Sequence, residues 1–316
     1  MKKRILVTAA GTATAWHICK VVQEHFKGKF EAHVCDVNPP ELVAASCACD
    51  MYHRVPYISS PHYYSHMLDL LDKNQIDVII PLIDQDLFIF SADNRDLADR
   101  GILSTAPVLE TVRQFSDKRA LAEVLSANGL PTPAVIPAGA TQADKEYVVK
   151  PAIGCGTKDF RIIKGKDLKF LKLPYGEYII QEKCNGERTE ITAEVFHTRE
   201  STMIFCRERV ETKAGVCTKM RPTAVPDIER YIYTLAGLAA FPPAFCLQFL
   251  HHDGAWNLID CNLRPGAGTG LSAAAGFQLV RALLLHILGE NPPDGLFHVD
   301  QAVKSVVRVY KEVVMR

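Results

Sequence analysis

Apolar positions come first in three short runs, "RILVTAA", "FEAHVCDVN" and "IDVIIPLID". Each is rich in β-branched residues and ends at turn residues, the pattern of a buried strand. Between them the apolar residues fall at helical spacing, in "TAWHICKVVQEHF" and "YYSHMLDLLDKNQ". Strand alternating with helix predicts a parallel sheet with helices on its faces. "SADNRDLADRGI" continues as a helix and "ILSTAP" as a last short strand, so a first α/β domain covers residues 1–105.

The pattern then changes. "SDKRALAEVLSANGLPTP" has a helix start and stop written into it. Ser116 is placed to cap the N-terminus, Asp117 suits the positive end of the dipole, and Gly129 with two prolines ends the helix. "EYVVKPA", "DFRIIK", "EYIIQEK", "TEITAEVFH" and "STMIFCRERVET" follow as strands joined by short turns, which predicts antiparallel sheet. "DIERYIYTLAGLAAF" is helical, and "AFCLQFLHHDGAWNLIDCN" reads as a hairpin turning at Asp253-Gly254. "GFQLVRALLLHILGE" is a helix and "KSVVRVYKEVV" a final strand.

Length and charge narrow the picture. The 316 residues are enough for two or three domains, and the formal net charge is zero. Nothing in that balance favours nucleic acid or an anionic membrane as partner. No apolar run approaches the roughly 18 residues that span a bilayer. The start "MKKRILVTAAG" is basic then apolar, but Gly11, Thr12, Thr14, His17 and Lys20 interrupt it. A strand and turn is therefore expected rather than a secretory leader. None of the ten cysteines forms C-x-x-C, so zinc is not expected. Reduced, mostly buried thiols in a cytoplasmic protein are.

The strand–turn–helix start invites a dinucleotide, and Asp36 stands where a ribose-binding acid would sit. However, Gly11 is alone where the fingerprint needs three glycines. A nicotinamide-dependent reductase would also leave the later motifs without a role. One of these is "YVVKPAIGCGTKDF", in which a strand delivers Lys150 to a turn holding Gly154, Gly156, Thr157 and Lys158. Such a turn gathers backbone N–H groups around an anion, or is simply a hairpin. Another is "LQFLHHDGAWNLIDCNLRPGAG". There Asp260, Asn262 and Arg264 alternate on one strand face, with Gln248 on the partner strand. Hard oxygens beside a guanidinium suit a magnesium-bound polyphosphate, or form a hydrogen-bonded surface face.

In series, "SDKRALAEVLSANGLPTP", "VVKPAIGCGTKDF", "IIQEKCNGERTEITAEVF" and "LQF…DG…LIDCNLRPGAGTG" resemble the ATP-grasp superfamily. The likeness is to single-module proteins similar to one ATP-grasp half of the carbamoyl phosphate synthetase large subunit. It includes "VIIPLIDQDL" and the ending "VVRVYKEVV". It implies an α/β fold: a Rossmann-like parallel sheet (pre-ATP-grasp) over 1–105, then a two-subdomain α+β ATP-grasp fold. The small (lid) subdomain covers 106–183 and the C-terminal subdomain 184–316. It further implies that Lys118 and Lys150 contact ATP phosphates. Gly154, Gly156, Thr157 and Lys158 belong to a loop that folds over them. Gln181, Glu182, Lys183 and Cys184 form the adenine-binding strand and hinge. Glu190, in "E-I-T-A-E-V", holds ribose hydroxyls, with Glu187 as the competing residue. Gln248, Asp260 and Asn262 fall on metal-ligand positions for Mg2+, with Mn2+ as alternative. Arg264 would hold a phosphate or an acyl phosphate, and with Lys150 is a candidate catalytic residue. The family's usual glutamate is Asp260 here, and Gln248 replaces a glutamate found in many relatives.

The activity so implied is ATP-dependent ligation of a small-molecule carboxylate to an amine-type nucleophile, with release of ADP and phosphate. A small-molecule kinase and a nucleotide-binding protein without ligase activity are the alternatives. The Gly11 turn and Thr12 would form one wall of the acceptor site. A homodimer is the assembly the resemblance suggests. Arg209, Lys213, Lys219 and Arg221 either face the same cleft or form a solvated strand face. His251 and His252 fall at a hairpin tip, as turn residues rather than metal ligands.

Overall fold

A computed structural model describes residues 2–154, 159–171, 176–184, 189–309 and 311–315. The chain opens with β1 (Lys3–Val7), α1 (Ala13–Val21), β2 (Phe30–Asp36), β3 (Met51–Arg54), α2 (Tyr63–Lys73), β4 (Val78–Ile80), α3 (Asp84–Ile89), α4 (Arg95–Ala98) and β5 (Leu103–Ser104). The strands form a parallel sheet in the order β3-β2-β1-β4-β5. Strand β3 carries no sequence signal: its four residues are exposed or half-buried and show no apolar run. The helix expected over "SADNRDLADRGI" contracts to Arg95–Ala98, started by Asn94, whose side chain accepts from the Leu97 N–H.

Helices α5 (Leu109–Ser116) and α6 (Lys118–Ala127) meet at Asp117. Ser116 is therefore not the cap but the buried last residue of α5. Asp117 is extended, so the helix breaks there, and its Oδ1 accepts from the Arg119 N–H at 2.8 Å. Gly129, at φ +67°, follows the end of α6 in the left-handed conformation that ends helices. Next come β6 (Glu146–Pro151), β7 (Arg161–Lys164) and β8 (Tyr178–Glu182), a small antiparallel sheet in the order β7-β6-β8.

The larger antiparallel sheet holds β9 (Glu190–His197), β10 (Thr202–Lys213), β11 (Val216–Thr223), β12 (Ala244–His252), β13 (Ala255–Asn262) and β14 (Val306–Val307). Its order is β13-β12-β9-β10-β11-β14. Helix α7 (Pro226–Ala236) precedes β12, while α8 (Thr269–Ala274) and α9 (Leu279–Ile287) follow β13. The β12–β13 hairpin turns on Asp253 and Gly254, both at positive φ, as the sequence predicts. The final strand shrinks to two residues paired with β11.

One face of the large sheet is apolar. Ile191, Ala193, Val195, Leu247 and Phe249 pack there against α5, α6 and α7, with Tyr231 edge-on to Phe249. On the other face, Phe196 and Phe205 share a single core with α9, α1 and the first sheet. That packing fixes the N-terminal sheet against the large one. Toward β13 the same face turns polar. Among the described residues no helix is long and apolar enough to cross a membrane.

Candidate nucleotide site

Strand alternation creates the polar face. Glu190, Thr192 and Glu194 of β9 point opposite to Ile191, Ala193 and Val195. Strand register then sets Arg207, Thr192, Gln248 and Asp260 in one row across β10, β9, β12 and β13. The next row holds Phe205, Glu194, Cys246 and Asn262.

The expected residues of three separate motifs meet at the end of these rows. Lys118 Nζ, in the first turn of α6, lies 3.6 Å from Asp260 Oδ1. Asn262 Nδ2 donates to Asp260 Oδ2 at 3.1 Å, and Arg264 Nη2 donates to Asn262 Oδ1 at 3.1 Å. Arg264 Nε in turn donates to Asp84 Oδ1 at 3.3 Å, at the start of α3. A continuous polar chain thus runs from α6 through β13 to the N-terminal sheet. Lys150, at the end of β6, donates from Nζ to the Ile259 carbonyl at 3.1 Å. Burial brings its ammonium down to about 8, against the pull of Asp260 and with a further push from Lys118.

Beside this chain is a cavity of about 550 Å³ between the small and large sheets. Val148, Lys150 and Ile162 line it from the small sheet, and Glu190, Arg209 and Ile259 from the large one. Its back is the strand end Gln181–Cys184. The Gln181 side chain is buried and donates to the Pro133 carbonyl at 3.2 Å. Glu182 pairs with Lys145, and Lys183 with Glu146 at 2.5 Å. Cys184 is half-buried, its thiol pushed up by burial. Glu190 pairs with Arg209 at 2.9 Å, and burial raises its carboxyl while Arg209 opposes the rise. Gly154, at φ +134°, offers its carbonyl to Lys118 Nζ at 3.0 Å. Gly156, Thr157, Lys158 and Glu187 lie outside the described residues.

Two family models match the chain. One described as a PylC-like N-terminal domain matches residues 5–105, and one described as an ATP-grasp domain matches residues 115–240. The chain carries an ATP-grasp domain behind a PylC-like N-terminal domain. A search of curated protein sequences finds no match. Solved structures agree in fold. The biotin carboxylase domain of Hydrogenobacter thermophilus 2-oxoglutarate carboxylase, in complex with MgADP and bicarbonate, is 14% identical with TM-score 0.72. The alignment covers 92% of this chain and 71% of that one. An L-amino acid ligase from Bacillus licheniformis is 12% identical with TM-score 0.72, over 94% and 78% of the two chains. Rhizobium etli pyruvate carboxylase is 14% identical with TM-score 0.71 over 95% of this chain, which spans only 30% of that longer protein.

Three residues in or against this polar face were not singled out by the sequence. Asp84 lies in the motif "PLIDQDL" and is nearly buried, but its partner is 180 residues away. Glu194 is the second acid of "E-I-T-A-E-V" and has no exposed surface. It pairs with buried Arg207 at 3.2 Å, and Arg207 Nε donates to Ser272 Oγ at 3.2 Å. Of the four basic residues weighed together, Arg209 lines the cavity. Lys213 and Lys219 pair with Glu211, and Arg221 with Glu208. His251 is exposed and packs its ring edge-on to Trp256, while His252 lies 3.3 Å from Asp253.

The N-terminal turn has a different use from dinucleotide binding. Asp36 Oδ2 accepts from the Gly11 N–H at 2.7 Å, and Oδ1 accepts from the Asn38 backbone and side chain. The chain's own donors thus occupy the carboxylate that a ribose would need. Thr12 caps α1, and Thr14 Oγ1 donates to the Gly266 carbonyl at 3.1 Å, tying the helix to the loop after Arg264. The carboxyl ends of β1 and β4 flank this point. They are the switch point of the sheet, where open α/β sheets take ligands.

Proposed function

We propose that this protein is an ATP-dependent, ADP-forming ligase that joins a small-molecule carboxylate to an amine-type nucleophile through an acyl phosphate. The polar chain Lys118–Asp260–Asn262–Arg264–Asp84 carries the reading. It joins a nucleotide-sized cavity to the switch point of the N-terminal sheet. In this reading adenine packs along Gln181–Cys184, ribose reaches Glu190, and phosphates meet Lys150 and Lys118. Residues 1–105 supply the acceptor wall, while 106–183 and 184–316 enclose the nucleotide.

Gln248, Asp260 and Asn262 fit a magnesium ion. They are hard oxygen donors on adjoining strands, and a single carboxylate suffices when phosphates complete the shell. Manganese would fit the same donors. The metal, when bound, neutralises polyphosphate charge. The chain's own residues do the rest. Arg264 orients the substrate carboxylate, one oxygen of which attacks the terminal phosphorus as ADP leaves. Lys150 and Lys118, both partly buried, offset the negative charge. The amine nitrogen then attacks the acyl carbon, phosphate departs, and the amine proton passes to solvent. The described cysteines are free thiols, most of them buried, which suits a reducing compartment, and we place the protein in the cytoplasm.

The test is a panel of carboxylic acids and amines scored for ADP and free phosphate, alongside thermal stabilisation by MgATP. Stabilisation, with ADP and phosphate released in equal amounts only when both substrates are present, is the expected result. Failure of ATP both to stabilise the fold and to yield ADP overturns it. ADP with the phosphate retained on the product would make the protein a kinase.

A further inference from the structure

The proposed metal position already faces a cation supplied by the chain. Asp260 is the only carboxylate among Gln248, Asp260 and Asn262. Among the described residues no group of three or more His, Cys, Asp or Glu is arranged to hold a metal. Lys118 Nζ sits 3.6 Å from Asp260 Oδ1 with its side chain only 11% exposed. It also donates to the Gly154 carbonyl at 3.0 Å, and the Lys118 backbone N–H donates to the Ala152 carbonyl at 2.9 Å. Lys150 adds a second ammonium close to the same carboxylate. Two ammoniums face Asp260, and the nearby carboxylates Glu190 and Asp84 are each paired with an arginine, Arg209 and Arg264, so this corner is net positive before any nucleotide arrives. A lone divalent ion would be repelled there, whereas a polyphosphate reverses the sign.

We infer that Lys118 is a built-in counter-ion that excludes free divalent metal from Asp260, so that the metal enters only with the polyphosphate that draws Lys118 away. The inference rests on the nucleotide and metal reading above. It makes binding ordered. Metal and polyphosphate arrive together, and the ammonium that leaves Asp260 is the one that also bonds the Gly154 carbonyl.

The experiment titrates Mn2+ alone into the full-length protein and follows the electron paramagnetic resonance signal of free Mn2+. Wild type is expected to show no stoichiometric site, and Lys118→Arg to behave the same. Lys118→Met should bind one Mn2+ at least tenfold more tightly than wild type, and Asp260→Asn in that background should abolish the gain. Adding ADP to wild type should remove one further Mn2+ from solution beyond what ADP alone binds in a protein-free control. One tight Mn2+ on wild type without nucleotide overturns the inference, as does a folded Lys118→Met that gains nothing. If ADP neither binds nor stabilises the protein, the ligase reading fails, and the metal-only comparison still decides the role of Lys118.

Discussion

Replacing Gly268 by alanine probes the sealed ion pair beneath the polar face with one methyl group. Gly268 sits at φ −89°, ψ −5°, which alanine adopts without strain, so backbone conformation contributes little. The obstacle is Arg207. A Cβ at position 268 would lie 2.0 Å from Nη2, 2.5 Å from Cζ and 2.9 Å from Nη1. Normal contact needs about 3.5 Å, so the guanidinium must retreat by more than an ångström. Nη2 is the atom bonded to Glu194 at 3.2 Å, and Nε holds Ser272 at the same distance. Neither bond survives such a move. Arg207 is 2% exposed and Glu194 0%, so water cannot replace what is lost.

Breaking a buried ion pair in this way costs roughly 3–5 kcal/mol. That is a large share of the 5–15 kcal/mol that typically separates folded from unfolded. Urea unfolding followed by tryptophan fluorescence should show the loss as a shift in midpoint at constant slope. Combining Gly268→Ala with Arg207→Met should cost less than the sum of the two, because the second change removes the group that the methyl meets. A Gly268→Ala protein that loses under about 1 kcal/mol would refute the reasoning, since the pair would then have room to relax.

Three further outcomes are expected. Lys150 holds its proton only below about 8, because burial disfavours the ammonium. Affinity for ATP, measured by equilibrium binding, should therefore weaken as pH rises through 8, by up to about tenfold per unit. Asp84→Asn removes the carboxylate that holds Arg264 Nε. Nucleotide affinity should stay within about twofold while ADP formation falls about tenfold or more, whereas equal losses in both would show that Asp84 does not act through Arg264. His53 is brought down to about 4 by burial, then by His33 and His66. Above about 6.5 neither the folded nor the unfolded state is protonated there. As pH falls from about 6.5 to 4 the unfolded chain takes up a proton that the folded chain refuses, so stability drops. With the ring half-exposed the loss is on the order of 1 kcal/mol, and His53→Asn should flatten that part of the pH–stability curve.

Features fixed by local chemistry were readable in the sequence. The hairpin at Asp253-Gly254 follows from the positive φ that both residues adopt. Asp260 and Asn262 share a face because side chains alternate along β13, whereas Arg264 lies two residues past the strand end and reaches Asn262 Oδ1 from there. What escaped depends on register or on distance along the chain. Arg207 meets Glu194 only because β10 pairs antiparallel with β9 in one register out of several, and nothing in "CRERVE" states which. Strand β3 is an edge without an apolar run. At the start of α6 two good capping residues stood side by side. Burial of Ser116 at the end of α5 left the role to Asp117.

The ion pairs of the polar face divide by how far they are sealed. Burying charge is tolerated only when each charge is paired, so a site rich in charge must be built from pairs. Glu194–Arg207 has almost no exposed surface, and any ligand would have to dismantle the core to reach it. Its work is to hold the Gly268 end of the loop and α8 through Ser272. Arg264–Asp84 and Lys118–Asp260 keep a tenth to a quarter of their side-chain surface open. A phosphate or carboxylate can exchange with Asp84 or Asp260 there without exposing the core. A site that must bind anions and metal yet remain folded when empty needs both kinds. On this face the sealed pair lies nearer α8 and the open pairs run from α6 to α3. On the proposed function, the positive side chains of these open pairs stay on internal carboxylates until a negatively charged ligand takes the carboxylates' place.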